Sequence, residues 1–310
     1  MSELRATRHR PRGLLDAAPP SLLACTGIVS LQVGAGLAGR MFGEVPAAAV
    51  TGLRLWSAAI VLAIAGGPGL RAAVAGRAPR PAWRDWVVVV SFGLILAIMN
   101  FSIYQAFARI PLGIAVTIEF LGPLAVAVAT SRRLIDLLWV ALALGGVVLL
   151  SRGGPGTALP RGGHGLELAG VVFALVSAAC WAAYILLSSA TGRRFSGSSG
   201  LVIAMIVAAV LVTPTAVIAG GTVLLRPGVI AIGIGIGLLS SVIPYRLELE
   251  TLRRIPAGVF GIWMSLEPAV AALAGLVMLG EVLRPGEWVA IGCVVLACAG
   301  TARGARTAGA

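Results

Sequence analysis

Apolar runs of roughly 20 residues, the length a helix needs to cross a hydrocarbon core about 30 Å thick, recur along this chain with no long polar segment between them. No other feature narrows the fold as far. Backbone inside a bilayer must satisfy its own hydrogen bonds, so runs of this length and number predict membrane-spanning helices rather than a soluble core. Ten spans are placed near residues 21–40, 47–67, 86–106, 110–130, 135–151, 168–190, 199–219, 228–249, 256–279 and 286–302. The expected class is therefore an all-α polytopic membrane protein. Composition agrees: of 310 residues, 58% are hydrophobic and 12% charged, and the mean hydropathy is +0.98.

Arginine placement tests the span map, because short cytoplasmic loops are enriched in positive charge. With the N-terminus inside, 16 arginines fall in cytoplasmic segments: Arg5, Arg8, Arg10, Arg12, Arg71, Arg77, Arg80, Arg84, Arg132, Arg133, Arg193, Arg194, Arg253, Arg254, Arg303 and Arg306. Six fall outside. This asymmetry predicts cytoplasmic N- and C-termini and accounts for most of the net charge of +12 without any nucleic-acid partner. The segment before the first span has no short apolar core followed by an A-x-A site, so residues 1–20 read as a retained tail. Cys25, Cys180, Cys293 and Cys298 all lie within spans and read as small packing residues.

The segment RIPLGIAVTIEFLGPLAVAVA (109–129) aligns without gaps on RIPAGVFGIWMSLEPAVAALA (254–274), at an offset of 145 residues. Apolar matches between such helices count for little, but RIPxG followed by a proline fourteen residues after the arginine is specific. Five spans, an odd number, separate the copies, so the second half should lie upside down relative to the first. The expected organisation is a 1–20 tail, a first repeat over 21–151, an outer linker over 152–167, an inverted second repeat over 168–302 and a 303–310 tail. Inverted repeats with a site near the midplane are an architecture of alternating-access transporters.

Few ionisable groups fall at membrane depth: Arg54, Glu119, Glu267, and Arg246, Glu248 and Glu250 toward the end of the eighth span. A charge at the bilayer centre costs at least ~2.5 kcal/mol, so these groups should face the bundle interior and have partners. Pro123 and Pro268 lie within one turn of Glu119 and Glu267; each removes a helical hydrogen bond, predicting a kink and a freed carbonyl beside a carboxylate. Ser177, Trp181, Tyr184 and Ser188 share one face of the sixth span, and Ser241, Tyr245 and Glu248 one face of the eighth; Asn100 and Tyr104 add polarity to the third. Such stripes can line a hydrated cavity or simply join helices. Arg54 can bind a solute carboxylate or neutralise Glu119.

The stretches IPLGIAVTIEFLGPLAVAVATSRR (110–133) and SSVIPYRLELETLRRIPAGVFGIWMSLEPAVAALAGLVMLGE (240–281), with GLRL around Arg54 and CWAAYIL around Trp181 and Tyr184, carry a family resemblance. The chain resembles the bacterial threonine/homoserine exporters, in the EamA branch of the drug/metabolite transporter superfamily. The resemblance implies ten helices in two inverted EamA repeats, location in the bacterial cytoplasmic (inner) membrane, and export of small hydrophilic metabolites with amino acids foremost. It matches Glu119, Glu248 and Glu267 to glutamates of the family's motifs. Arg246 departs from the pattern, where a small polar residue is expected, and so does Gly258; an Arg246–Glu250 pair on one helix is one expectation.

The substrate-binding or proton-pathway candidates are thus Glu119, Glu267, Glu248, Arg54, Asn100, Tyr104, Trp181, Tyr184 and Tyr245, with Pro123 and Pro268 as kinks. A carboxylate would meet the solute's ammonium or a counter-transported proton, and the aromatic rings would supply cation-π contact. Proton coupling and facilitated diffusion fit these residues equally. The expected partners are a small-molecule solute, protons if coupled, and the lipid bilayer, with the chain a monomer or a homodimer and no cofactor or metal. A drug exporter of the same superfamily is the near alternative. An intramembrane lipid-modifying enzyme is a remote one, because His9 and His164 lie in tail and loop and Asp16, Asp85 and Asp136 lie outside or at the ends of spans.

Overall fold

The computed structural model describes residues 18–65, 82–129, 135–151, 167–195, 199–255 and 257–308. Its helices are α1 (Pro20–Met41), α2 (Ala47–Ala65), α3 (Trp83–Phe107), α4 (Leu112–Glu119), α5 (Leu121–Ala129), α6 (Ile135–Ser151), α7 (Leu168–Gly192), α8 (Ser199–Gly220), α9 (Pro227–Gly237), α10 (Ile243–Leu252), α11 (Ala257–Met264), α12 (Glu267–Ala274) and α13 (Pro285–Ala308). Among the described residues, nine helical stretches are long and apolar enough to cross a bilayer, and a shorter apolar stretch, Leu137–Leu149, lies within α6, where a tenth span was expected. The protein is a multi-pass membrane protein, with the spans where apolar periodicity placed them.

Four spans differ from single regular helices ending where expected. The fourth is α4 and α5, broken at Phe120; the ninth is α11 and α12, broken at Ser265 and Leu266. Both breaks have one cause. Pro123 and Pro268 lack the N–H that the carbonyls of Glu119 and Met264 would accept four residues upstream, so the ladder stops there. The eighth span holds a π-helical turn, Leu238–Val242, between α9 and α10, which the sequence did not signal by periodicity. The tenth overruns its expected end: residues expected as a tail from 303 continue as helix to Ala308. The 1–17 part of the N-terminal tail, the 152–166 part of the linker, His9, His164, Asp16, Arg71, Arg77, Arg80, Arg132 and Arg133 lie outside the described residues.

Burial is arranged for lipid rather than water. Thr51, Thr117 and Ser177 are fully buried, whereas Ile64, Ile218 and Val277 are each more than three-quarters exposed. Large apolar side chains on the perimeter and polar ones inside are the arrangement hydrocarbon rewards. Threonines also serve their own helices: Thr51, Thr117 and Thr251 each donate to the carbonyl four residues back.

Helix pairing follows a rule. α3 packs on α7, α10 on α1, α8 on α2, α12 on α4 and α13 on α6, with α8 against α3 answered by α9 against α2. Exchanging each span with the one five places along turns these pairs into themselves. The α3–α7 pair is pinned at both ends, by Arg109–Glu167 at 3.4 Å and Arg194–Asp85 at 3.2 Å. These pairs define two ends of the bundle, here called the Arg109 face and the Arg194 face. α5 also approaches α7 so closely that a Cβ on Gly122 would strike the carbonyl oxygen of Ala178. That atom is backbone and cannot move aside. Gly122→Ala should therefore destabilise the bundle by about 1–3 kcal/mol, read as a lowered melting temperature of the purified protein in detergent. An unchanged melting temperature would show that α5 and α7 do not hold this approach.

Candidate functional site

The breaks and bulges of the fourth, eighth and ninth spans converge with α1, α2, α3 and α7 on a cavity of ≈ 150 Å³ inside the bundle. Glu119 and Val116 reach it from α4, Met264 and Glu267 from the ninth span, Ser240, Pro244, Tyr245 and Glu248 from the eighth, and Trp181 and Tyr184 from α7. The carbonyls released by Pro123 and Pro268 belong to Glu119 and Met264, two of these residues, which also occupy aligned positions in the two RIPxG segments. Each proline thus follows a helix break, four residues after a residue that lines the cavity.

The two carboxyls are held differently. The Ser177 hydroxyl donates to Glu119 Oε1 at 2.5 Å, and the Gln32 amide nitrogen donates to Glu267 Oε1 at 3.0 Å. Glu267 is 3% exposed, and its Oε2 and the amide oxygen Oε1 of Gln32 are buried without a hydrogen-bond partner among the described residues. A buried acceptor left unpaired costs about 1–3 kcal/mol, so this corner of the cavity calls for a hydrogen-bond donor.

Arg54 sits across the cavity on α2, 8% exposed. Its Nη2 donates to the Ser240 carbonyl at 3.1 Å and its Nε to Ser241 Oγ at 3.3 Å, and its guanidinium lies 5.1 Å from the centre of the Tyr104 ring. The reason lies in the eighth span. Pro244 has no N–H, so the Ser240 carbonyl four residues before it has no helical donor, and Arg54 supplies one. The π-helical turn frees the preceding carbonyl of Leu239 as well, which Ser30 Oγ satisfies at 2.7 Å. A π-turn of this kind is frequent where a helix carries function. Arg54 is therefore fixed by two hydrogen bonds while keeping donors of its five for another group.

Eight of the nine sequence candidates line this one cavity: Arg54, Asn100, Glu119, Trp181, Tyr184, Tyr245, Glu248 and Glu267. Tyr104 does not; it is 0% exposed beneath Arg54, with its hydroxyl unpaired, and acts as the ring on which the guanidinium rests. Asn100 spends one donor on its own helix, at 2.8 Å to the Leu96 carbonyl. Trp181 packs edge-on against Phe120 and Tyr184 against Phe92, at centroid distances of 4.9 and 5.3 Å, which fixes both rings at the wall. The expected Arg246–Glu250 pair is not the arrangement found. Glu250 binds Arg254 at 2.6 Å and Arg253 at 3.4 Å, while Arg246 is exposed, because the helix end places both later arginines within one turn of the carboxylate. Gln32, the partner of Glu267, escaped the sequence reading; its signal was one amide in the otherwise apolar SLLACTGIVSLQVGAGLAG run of the first span.

Comparison with known proteins places this geometry in a family. Residues 168–303 match the model of the EamA-like transporter family. The chain is 37% identical over 286 residues to the threonine/homoserine exporter RhtA of Escherichia coli (strain K12), covering 91% of this chain and 90% of that protein. The exporter of the same name from Salmonella typhimurium (strain LT2) is 36% identical over the same extent, and an uncharacterized inner membrane transporter of Escherichia coli, YedA, is 27% identical over 66% of each chain. A solved crystal structure with 20% sequence identity superposes with a TM-score of 0.61, covering 94% of this chain and 99% of its own, and so shares the fold. Related along nine-tenths of its length to named exporters, and matched by the family model over the half that carries Glu248 and Glu267, the chain belongs to the EamA-like transporter family.

Proposed function

We propose that this protein exports small zwitterionic amino acids, threonine and homoserine foremost, from the cytoplasm by alternating access to the central cavity. One observation carries the reading: the cavity opposes the buried Arg54 to the buried carboxyl of Glu267, which with Gln32 presents acceptors without a donor among the described residues. An α-amino acid supplies both complements. Its ammonium has three donors for Glu267 Oε2, Gln32 Oε1 and the carbonyls freed at the helix breaks; its carboxylate takes the fork of Arg54. Trp181, Tyr184 and Tyr245 close the sides, and Glu119 and Glu248 set the charge of the cavity. The names of the relatives point to the same solutes.

Two further parts of the reading rest on the sequence map. Two inverted halves, 21–151 and 168–302, provide the two faces between which access alternates, supported by the exchange symmetry of helix pairing. The Arg194 face is cytoplasmic, with both termini, because it collects the arginines; the membrane is the bacterial inner membrane. Size disfavours the drug-exporter reading. At ≈ 150 Å³ the cavity is below the ~300–1,000 Å³ of pockets that hold drug-sized ligands.

The test is efflux of a labelled amino-acid panel from proteoliposomes, with and without a pH gradient. Threonine and homoserine are expected to move faster than from protein-free vesicles, and acceleration by the gradient would place a proton in the cycle. If no amino acid moves while larger amphiphiles do, the substrate class is wrong and the fold stands.

A further inference from the structure

A second cavity, of ≈ 500 Å³, opens at the Arg109 face. Phe107, the last residue of α3, lines both cavities and is the partition between them. Its ring packs against the apolar cluster that contains Leu112, the first residue of α4. The wall of the second cavity also holds Glu281, which follows the π-helical end of the ninth span and is 8% exposed. One of its oxygens, Oε2, accepts from the Leu112 backbone N–H at 2.9 Å. The carboxyl fits because Gly275 has no side chain; a Cβ there would collide with that same oxygen. Glu281 thus ties the start of the half-helix carrying Glu119 to the junction of the ninth and tenth spans. The offset of 145 residues that relates the RIPxG segments relates Glu281 to Asp136, so an acid follows each segment at one distance.

We propose that Glu281 is the latch of the Arg109 face: neutral, it holds α4 and the Phe107 partition closed, and its ionisation loosens that end of the bundle. This rests on the alternating-access reading of the protein. Charge supplies the reason. Arg40, Arg109 and Glu167 share the cavity, but Arg40 donates to the Met278 carbonyl at 2.8 Å, Arg109 pairs with Glu167, and Glu287 turns back to the Arg284 N–H at 2.7 Å. Among the described residues, the Glu281 carboxyl is held by one neutral amide, the Leu112 N–H. A carboxylate buried against an amide alone is costly, and burial pushes the Glu281 carboxyl up to about 7. Hydration on opening would return it toward the usual carboxylate range. Because the closed state is the one that binds the proton more tightly, closure is most favoured at pH below the usual carboxylate range, and release grows as pH on the Arg109 side rises toward ~7.

The test is hydrogen exchange at the peptide containing Leu112 and Gly113 in the purified full-length protein without solute. It reads the latch whether or not any amino acid is transported. Glu281→Ala should raise exchange roughly tenfold over wild type near pH ~4, because the Leu112 N–H loses its acceptor, and by less above pH ~7, where the wild-type latch is itself released. Glu281→Gln keeps an acceptor and cannot ionise. It should match wild type near pH ~4 and exchange progressively more slowly than wild type as pH rises, the difference levelling off above pH ~7. Gly275→Ala, which displaces the carboxyl without removing it, serves as a second loosened variant if the alanine substitution at 281 does not fold. A constant ratio of wild type to Glu281→Gln across this range overturns the proposal, as does wild-type protection in the loosened variants.

Discussion

Glu267→Gln lowers threonine efflux from proteoliposomes by about ten- to a hundredfold while leaving the yield and elution of the protein unchanged. The direction follows from what the amide keeps and what it loses. Its carbonyl oxygen still accepts from Gln32, now at 3.0 Å to Glu267 Oε1, so the α1–α12 contact survives. Its NH₂ group replaces the unpaired Oε2, turning an acceptor in the cavity into a donor facing the solute ammonium. A charge-assisted hydrogen bond is worth about 1.5–3 kcal/mol, and the cavity would now also repel what it held. Glu119→Gln should fall less. Glu119 Oε1 already accepts from Ser177, and glutamine keeps that bond. Wild-type efflux in both variants would remove the carboxyls from the pathway.

Arg54→Ala is the second large effect, and it divides into two parts. Transport should fall by about a hundredfold, because the solute carboxylate loses a charged fork inside a poorly hydrated cavity. Stability should fall by about 1–3 kcal/mol, because the Ser240 carbonyl is left without a donor. A second substitution separates them. Pro244→Ala in the Arg54→Ala background restores an N–H four residues after Ser240, so the melting temperature should recover while efflux does not. Recovery of both would show that Arg54 serves only the eighth span. Arg54→Lys should be intermediate in transport, since it keeps the charge and loses the planar geometry.

The fold was legible because its determinants are local. The apolar runs place the helices, and two prolines at one offset mark two of the three irregular spans. The π-helical turn at Leu238–Val242 was not legible, since no periodicity separates it from a regular helix; Pro244 gave notice only of an orphan carbonyl at Ser240. The cavity was legible to the extent that ionisable residues at membrane depth must turn inward. That rule found Arg54, Glu119, Glu248 and Glu267. The rule is not broken by Tyr104, a candidate from the polar stripe of the third span, whose ring is buried beneath Arg54 rather than at the cavity wall. It passed over Gln32 and Glu281, because a neutral amide carries no such penalty and Glu281 follows the last turn of its span. Arg246 and Glu250 failed for another reason: spacing of four allows a pair, but Arg254 offers the same spacing on the other side and Glu250 takes it.

Everything in this account depends on the central cavity recognising the two ends of a zwitterion at once. Counterflow in proteoliposomes, with labelled threonine inside and excess unlabelled analogues outside, reads that recognition in the unmodified protein. Threonine and homoserine should drive exchange, whereas the analogue lacking the amino group and the analogue in which the carboxylate is an amide should each be at least about tenfold weaker. Equal exchange with either analogue would contradict the account, because one half of the proposed site would then contribute nothing to recognition.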